Sequence, residues 1–275
     1  MEGYGEAYSA VTILNAFATG LGSALGIELK TTAIVDKASK DFIETLYRGE
    51  KISIDTILLD TIARYFRERY NIEYGLYIQI DSEIPPGIGL KSSSALANAL
   101  IKAFANHIGL ELNDNDILNL NRSLSLEAGV SLTGALDDAA ASLYGGLIIT
   151  DNLKGEIIYR GDVDRERVSI VYNDRILYTR SYRGMDFTPI KEIVKDICKM
   201  LLDGLWRETA ILNGLIYSGY LGHDPEPIFK ALKYKPITTG LSGKGPAFYM
   251  IGGDSEKYIS EMISLGYKSI STYTR

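Results

Sequence analysis

The stretch Pro85–Leu100, PPGIGLKSSSALANAL, decides the reading of this chain. Glycines at 87 and 89 permit backbone conformations that a side chain forbids, and they let the chain approach a ligand closely. Ser92, Ser93 and Ser94 then open a segment rich in Ala and Leu with no Gly or Pro before Gly109, which predicts a helix from Ser92. The first amides of a helix have no intrahelical partner and carry the positive end of its dipole, so such a start favours an anion. An ordinary turn with an N-cap needs one serine. Gly-x-Gly followed by three serines points instead to phosphate binding.

No Walker A loop (G-x-x-x-x-G-K-[ST]) occurs in the chain, and the protein-kinase signatures HRD and DFG are also missing. A dinucleotide fingerprint fails as well. ATGLGSALG gives Gly20-x-Gly22 but has Leu25 where the third glycine belongs, with Gly26 one place late, and the following VDKASKD is a poor match to a strand closed by the expected acid. Any nucleotide is held by another scaffold.

Outward from this segment, the first fifty residues look β-rich, with strands expected at Glu6–Leu14 and Ile27–Asp36 on either side of the small-residue stretch ATGLGSALG. Ile54–Tyr70 has helical spacing, and Gly75–Ile80 reads as a strand stopped by DSEIPPG. Helices are expected at Asp114–Ala128 and about Ala135–Tyr144, then a strand at Leu147–Thr150. Beyond it come strands at Glu156–Arg160 and Val168–Val171 and helices near Pro189–Leu202 and Leu205–Tyr220. The chain closes as strand, Gly-rich loop, strand, helix and strand over its last forty residues. The texture changes near Asp151–Gly155, which suggests two domains, 1–152 and 153–275. Strands and helices mix without the strict βα rhythm of a doubly wound sheet, which agrees with the α+β class that the resemblance described below implies.

The chain has 275 residues, 46% hydrophobic and 23% charged, as expected of a globular protein with a real core. A net charge of −6 argues against a nucleic-acid surface. Cys198 is the only cysteine, so no intrachain disulfide forms and a cytoplasmic setting is expected. With two histidines, His107 and His223, a structural zinc site is close to excluded. The N-terminus lacks a basic signal region, and no apolar run approaches the roughly 18 residues that span a bilayer. No membrane partner is expected.

Pro85–Ala95 resembles the central motif of the GHMP kinase superfamily, roughly P-x-x-x-G-L-x-S-S-A, here with one added serine before the alanine. Thr133–Gly146, TGALDDAAASLYGG, is similar to the superfamily's catalytic-aspartate segment. Counted back from Gly145, Asp138 falls at the aspartate, and Asp137 stands one residue out of phase. Glu127, eleven residues upstream, matches the offset of a magnesium-binding glutamate. Leu241–Ile251, LSGKGPAFYMI, resembles the C-terminal glycine motif.

The resemblance implies an ATP site made of Pro86, Gly87, Ile88, Gly89, Leu90, Lys91, Ser92, Ser93, Ser94 and Ala95, faced by Ser242, Gly243, Lys244 and Gly245. It implies Mg2+ on Ser93 and Glu127, and a hydroxyl activated by Asp138. It also implies an N-terminal domain of ribosomal-protein-S5-like topology and a ferredoxin-like C-terminal domain, with the site between them.

Ala10–Leu29, AVTILNAFATGLGSALGIEL, lacks the usual P-G-x-x-N-L opening of the superfamily. That segment, GALDDAAAS and the short length resemble the archaeal-type shikimate kinases. The acceptor implied is the 3-hydroxyl of shikimate, a step of aromatic amino-acid synthesis. Its carboxylate needs cations, for which Arg122, Arg180 and Arg183 are candidates, and its hydroxyls need partners such as Asn15, Thr19 and Ser23. Homoserine kinase, favoured by SGKGPA, and a non-catalytic sensor of the same fold are the alternatives. Oligomeric state is not legible.

Overall fold

The computed structural model of the chain describes residues 1–174 and 184–275. Strand β1 (Gly3–Leu14) pairs antiparallel with β2 (Leu21–Ala38), an 18-residue strand that serves two further neighbours along its other edge. Its first part, Leu21–Leu25, pairs with β6 (Leu147–Asp151), and Thr31–Ala38 pairs with β5 (Gly75–Ser82). Strands β3 (Phe42–Tyr47) and β4 (Glu50–Lys51) extend one end of this sheet, and β7 (Glu156–Gly161) ends the other.

Four helices cover this sheet: α1 (Ile57–Tyr70), α2 (Ser92–Ile108), α3 (Asp114–Glu127) and α4 (Leu136–Tyr144). α2 is the central one. Its Ala97, Ala99, Leu100, Ile101, Ala103 and Phe104 are buried, and Phe104 stacks on Phe66 of α1 with ring centroids 4.8 Å apart. Small residues make this close packing feasible. A β-carbon at Gly5 would lie 2.1 Å from the Ala99 carbonyl oxygen, so β1 and α2 approach only because glycine stands there.

The second sheet has the order β11-β8-β10-β9 and is antiparallel throughout. Its strands are β8 (Arg167–Tyr172), β9 (Thr238–Leu241), β10 (Phe248–Ile251) and β11 (Lys268–Tyr273). α5 (Lys191–Leu202), α6 (Trp206–Leu221) and α7 (Glu226–Leu232) lie between β8 and β9, and α8 (Ser255–Ser264) lies between β10 and β11. This is the ferredoxin-like strand order, with α5, α6 and α7 where that arrangement has one helix in its first crossover.

The expected boundary at 152/153 falls between β6 and β7, which are hydrogen-bonded neighbours. The chain passes from the first sheet to the second at residues 162–166 instead. A composition change marked the turn Asn152–Gly155, a hairpin inside one sheet. One buried cluster joins the two units, with Val11, Ile13, Leu25 and Ile27 packed among Val168, Ile170, Leu241 and Tyr249. The last residues return to the first sheet, where the Arg275 amide donates to the Gly26 carbonyl at 2.9 Å.

ATGLGSALG, read as a connection, is a strand from Leu21 onward. Its glycines serve packing across the sheet. A β-carbon at Gly22 would meet the Asp137 carboxyl at 2.7 Å, and one at Gly26 would meet Gly145 at 2.7 Å. The turn itself is Asn15–Gly20, closed by the Gly20 amide on the Ala16 carbonyl at 2.8 Å. β3, β4 and α7 were not expected from the sequence.

Candidate active site

The phosphate-type loop is fixed from behind by its own carbonyl groups. The Ile88 carbonyl accepts from the Ala247 amide at 3.0 Å, Gly89 from the Ser242 hydroxyl at 2.9 Å, and Leu90 from the Ser9 hydroxyl at 2.8 Å. Lys91, at the N-cap of α2, has φ 60°, and no side chain caps the helix. The first amides of α2 therefore stay available to a ligand.

The glycine turn docks directly on this loop. Gly89 has φ 92°, and a β-carbon there would lie 2.2 Å from the Ser242 carbonyl oxygen. The turn is held from β1 as well, since the Gly243 amide donates to Thr12 Oγ1 at 2.8 Å and Asn15 Nδ2 donates to the Gly243 carbonyl at 3.0 Å. Two glycine motifs more than 150 residues apart thus form one wall.

Asp137 and Asp138 open α4 beside this wall. The Lys91 ammonium reaches Asp138 Oδ1 at 2.8 Å, and both side chains are largely buried, at 9% and 17% exposure. Asp137 faces inward. Its Oδ1 accepts from Asn152 Nδ2 at 2.8 Å, and its amide donates to Asn152 Oδ1 at 3.4 Å. Burial, reinforced by the charge of Asp138, raises the Asp137 carboxyl to about 7. A buried polar chain fixes the helices relative to each other. Asn98 donates to the Ala139 carbonyl at 2.9 Å, and Asn121 donates to Asn98 Oδ1 at 2.7 Å and to the Ser94 carbonyl at 3.0 Å.

These groups line a cleft of about 320 Å³. Its polar lining includes Asn15, Lys91, Ser92, Ser93, Ser94, Asp137, Asp138 and Lys244, and its apolar lining includes Ile52, Ile54, Ile57, Leu58 and Leu96. Of the loop, Pro86, Gly87 and Gly89 also line it. Ile88, Leu90 and Ala95 are buried in the core behind it, as support. Ser242 and Gly245 likewise support the wall.

Four expected contacts are not brought to the cleft. Ser23 is fully buried and donates to the Ile148 carbonyl at 2.7 Å, within the first sheet. Thr19 lies against Cys198, with Oγ1 and Sγ 3.6 Å apart. Arg122 donates to the Asn152 carbonyl at 3.1 Å and packs against Gly134. Glu127, at the end of α3, is 55% exposed and pairs with Arg64 of α1 at 2.6 Å, so it does not stand with Ser93. Arg180 and Arg183 lie outside the described residues. Thr12, Asn98, Asn121 and Asn152 were missed by sequence reasoning. The signal was there for Asn98 and Asn121, as amides on helix faces otherwise filled by Ala and Leu.

Comparison with known proteins follows the same geometry. Residues 57–146 match the family described as GHMP kinases N terminal domain. A shikimate kinase of Thermococcus kodakarensis is 43% identical over 272 residues, covering 98% of this chain and 99% of that protein. The chain belongs to the shikimate kinases. A second member of that family, from Pyrococcus abyssi, is 40% identical over 268 residues, covering 97% of each. Mevalonate kinase of Methanococcus jannaschii has the same fold, with a TM-score of 0.77 at 15% identity over 100% of this chain and 99% of that one. Membership of a kinase family carries with it the use of ATP. Among the described residues, no helix is long and apolar enough to cross a membrane.

Proposed function

We propose that the protein transfers the γ-phosphoryl group of ATP to the 3-hydroxyl of shikimate. The observation that carries the chemistry is Asp138, paired with Lys91 at the start of α2. The acceptor rests on the full-length likeness to shikimate kinases. The uncapped amides of α2 and the hydroxyls of Ser92–Ser94 bind the phosphates, and the apolar residues of the cleft take the base. Lys91 holds Asp138 Oδ1, which leaves Oδ2 to receive the proton of the attacking hydroxyl. The new bond forms from that oxygen to the γ-phosphorus, the bond to the β,γ-bridging oxygen breaks, and ADP leaves.

Mg2+ fits the donor set as a companion of the nucleotide. Among the described residues, no group of three or more His, Cys, Asp or Glu stands together to hold a metal. Magnesium commonly takes one or two protein oxygens and completes its shell with phosphates and water. Ser93 supplies such a hydroxyl, and Glu127 joins it only by leaving Arg64. When bound, the ion offsets phosphate charge. Asn15, which lines the cleft, is the proposed partner of an acceptor hydroxyl, and Arg180 and Arg183 are the proposed partners of its carboxylate. The cytoplasm is the proposed setting.

An ADP-release assay with shikimate, homoserine and mevalonate tests the reading. Turnover is expected with shikimate. Turnover of homoserine alone, or ATP binding with no acceptor used, would sink it.

A further inference from the structure

Two adjacent carboxylates open α4, and they are held by different chemistry. Lys91 stands 2.8 Å from Asp138 Oδ1, whereas Asp137 is met by an amide. Asn152, fully buried at the corner between β6 and β7, donates from Nδ2 to Asp137 Oδ1 at 2.8 Å. The amide has only one workable orientation. The Asp137 backbone N–H can only donate, and it reaches Asn152 Oδ1 at 3.4 Å, so Nδ2 must face the carboxyl. Thr150 Oγ1 donates to the same Oδ1 at 2.7 Å, and Thr133 Oγ1 accepts from Nδ2 at 3.2 Å, which uses every hydrogen-bonding position of the side chain. On the other side β2 leaves room, since a β-carbon at Gly22 would lie 2.7 Å from the Asp137 carboxyl. Asp137 nevertheless lines the same cleft as Lys91 and Asp138.

We propose that Asn152 is a positioning residue: it holds Asp137 inward and so keeps that carboxylate from drawing Lys91 away from Asp138. The inference deepens the kinase reading and rests on it, because a Lys91 drawn to Asp137 no longer fixes the carboxylate that serves the hydroxyl. An ammonium beside two neighbouring carboxylates has two competing partners, and a contact that disfavours the wrong pairing selects the right one. An amide suits this position. A carboxylate there would repel Asp137, and an apolar side chain would leave buried polar groups unpaired. The charged groups around Asp137 come from four elements. Asp138 adjoins it on α4, and Lys91 comes from the loop before α2. Lys244 of the glycine turn lines the same cleft, and Arg122 of α3 donates to the Asn152 carbonyl at 3.1 Å. Burial first, then Asp138, raise the Asp137 carboxyl to about 7, while Lys91 and the Asn152 amide act in the opposite direction. Above that value Asp137 is charged and can compete. The corner itself is held by backbone, with the Asn152 N–H on the Gly20 carbonyl at 2.9 Å, so truncating the side chain leaves it in place.

The test uses Asn152→Ala, Thr150→Val and Asp137→Asn in the full chain. Its first readout needs no acceptor. Carboxyl-carbon NMR follows the titration of Asp137, assigned by its loss in Asp137→Asn. Removal of the Asn152 donor alone would move the carboxyl upward, because that donor favours the charged form. Release onto Lys91 moves it downward instead, and a fall of about one pH unit or more is expected. Thr150→Val removes only the hydroxyl that holds the amide's orientation and should give a smaller fall. It decides by the same sign if Asn152→Ala does not fold. With shikimate at about pH 8, Asn152→Ala should lower kcat by about 10–10², the scale of a small misplacement at the reacting groups. Adding Asp137→Asn should restore kcat to within about threefold of Asp137→Asn alone, since an uncharged side chain does not compete. A carboxyl that rises or stays in place, or a kcat defect that Asp137→Asn does not rescue, overturns the proposal. A wild type that ignores shikimate while the carboxyl falls in Asn152→Ala would refute the acceptor and leave Asn152 supported.

Discussion

The Lys91 ammonium stands 2.8 Å from Asp138 Oδ1 and so ties the residue that opens the phosphate helix to the first turn of α4. The two come from motifs 47 positions apart in sequence, and the contact is made where little water reaches. It fixes one carboxylate oxygen, and on the proposed reading the other serves the acceptor hydroxyl.

Asp138→Asn is therefore expected to lower kcat by about 10²–10⁴, the range for loss of a general base, with ATP affinity largely kept. Asp137→Asn should cost far less activity, because Asp137 is turned onto Asn152. Steady-state kinetics on the pair checks this. The opposite order would make Asp137 the acceptor of the hydroxyl proton.

Asp137 has a separate consequence for stability. In the unfolded chain it ionises near the usual carboxylate value of about 4, whereas in the fold it holds its proton up to about 7. Between those values the folded state binds more protons, so stability falls as pH rises from about 4 to about 7 and is flat above. Asp137→Asn lacks this titration. Relative to wild type, the variant should gain stability on going from pH ~4.5 to ~7.5, on the order of 3 kcal/mol. Denaturant unfolding of both proteins at the two pH values measures it, and parallel pH dependences would refute it.

Much of the proposed site was marked in the sequence because a wall that offers bare backbone to a ligand demands particular residue types. Gly87, Gly89 and the serines announce themselves through residue types that few other roles demand, and the same holds for Ser242–Gly245. Helices α2, α3 and α4 were legible for a similar reason, with Ala and Leu periodicity closed by Gly109 and Gly145. What was not legible depends on long-range packing. Gly22 and Gly26 look like loop residues until α4 is laid across them, when the lack of a side chain there lets Asp137 and Gly145 approach. Glu127 keeps the family spacing, yet a helix surface offers it Arg64 at 2.6 Å, and spacing along one chain carries no information about that partner.

The contact between the two glycine motifs sets a steric limit. At Gly89, φ is 92° and an added β-carbon meets the Ser242 carbonyl oxygen at 2.2 Å. Gly89→Ala must strain the backbone and push the turn away, opening the wall. The expected result is a loss of about 2–4 kcal/mol of stability together with at least tenfold weaker ATP binding. Gly49 has φ 80° with nothing within 4 Å of an added β-carbon, so Gly49→Ala is the control. It carries the same kind of backbone strain without the clash and should bind ATP normally. Equal effects on ATP binding at both positions would show that the packing of the two motifs does not matter.

Asn15 and Ser23 were both expected to touch the acceptor, and the structure separates them. Ser23 Oγ donates to the Ile148 carbonyl at 2.7 Å between β2 and β6, fully buried. Asn15 lines the cleft and donates to the Gly243 carbonyl at 3.0 Å. Ser23→Ala removes one donor to a carbonyl that keeps its place in the sheet, so it should cost about 1 kcal/mol of stability and leave the KM for shikimate within twofold. Asn15→Ala releases the glycine turn and removes a polar group from the cleft, so kcat and the KM for shikimate should both worsen, by about tenfold or more in kcat/KM, equivalent to about 1.4 kcal/mol of transition-state binding. Thermal unfolding and steady-state kinetics on the two variants separate the roles. A Ser23→Ala enzyme with normal stability and a raised KM for shikimate would return Ser23 to the acceptor site and require β2 to part from β6 there.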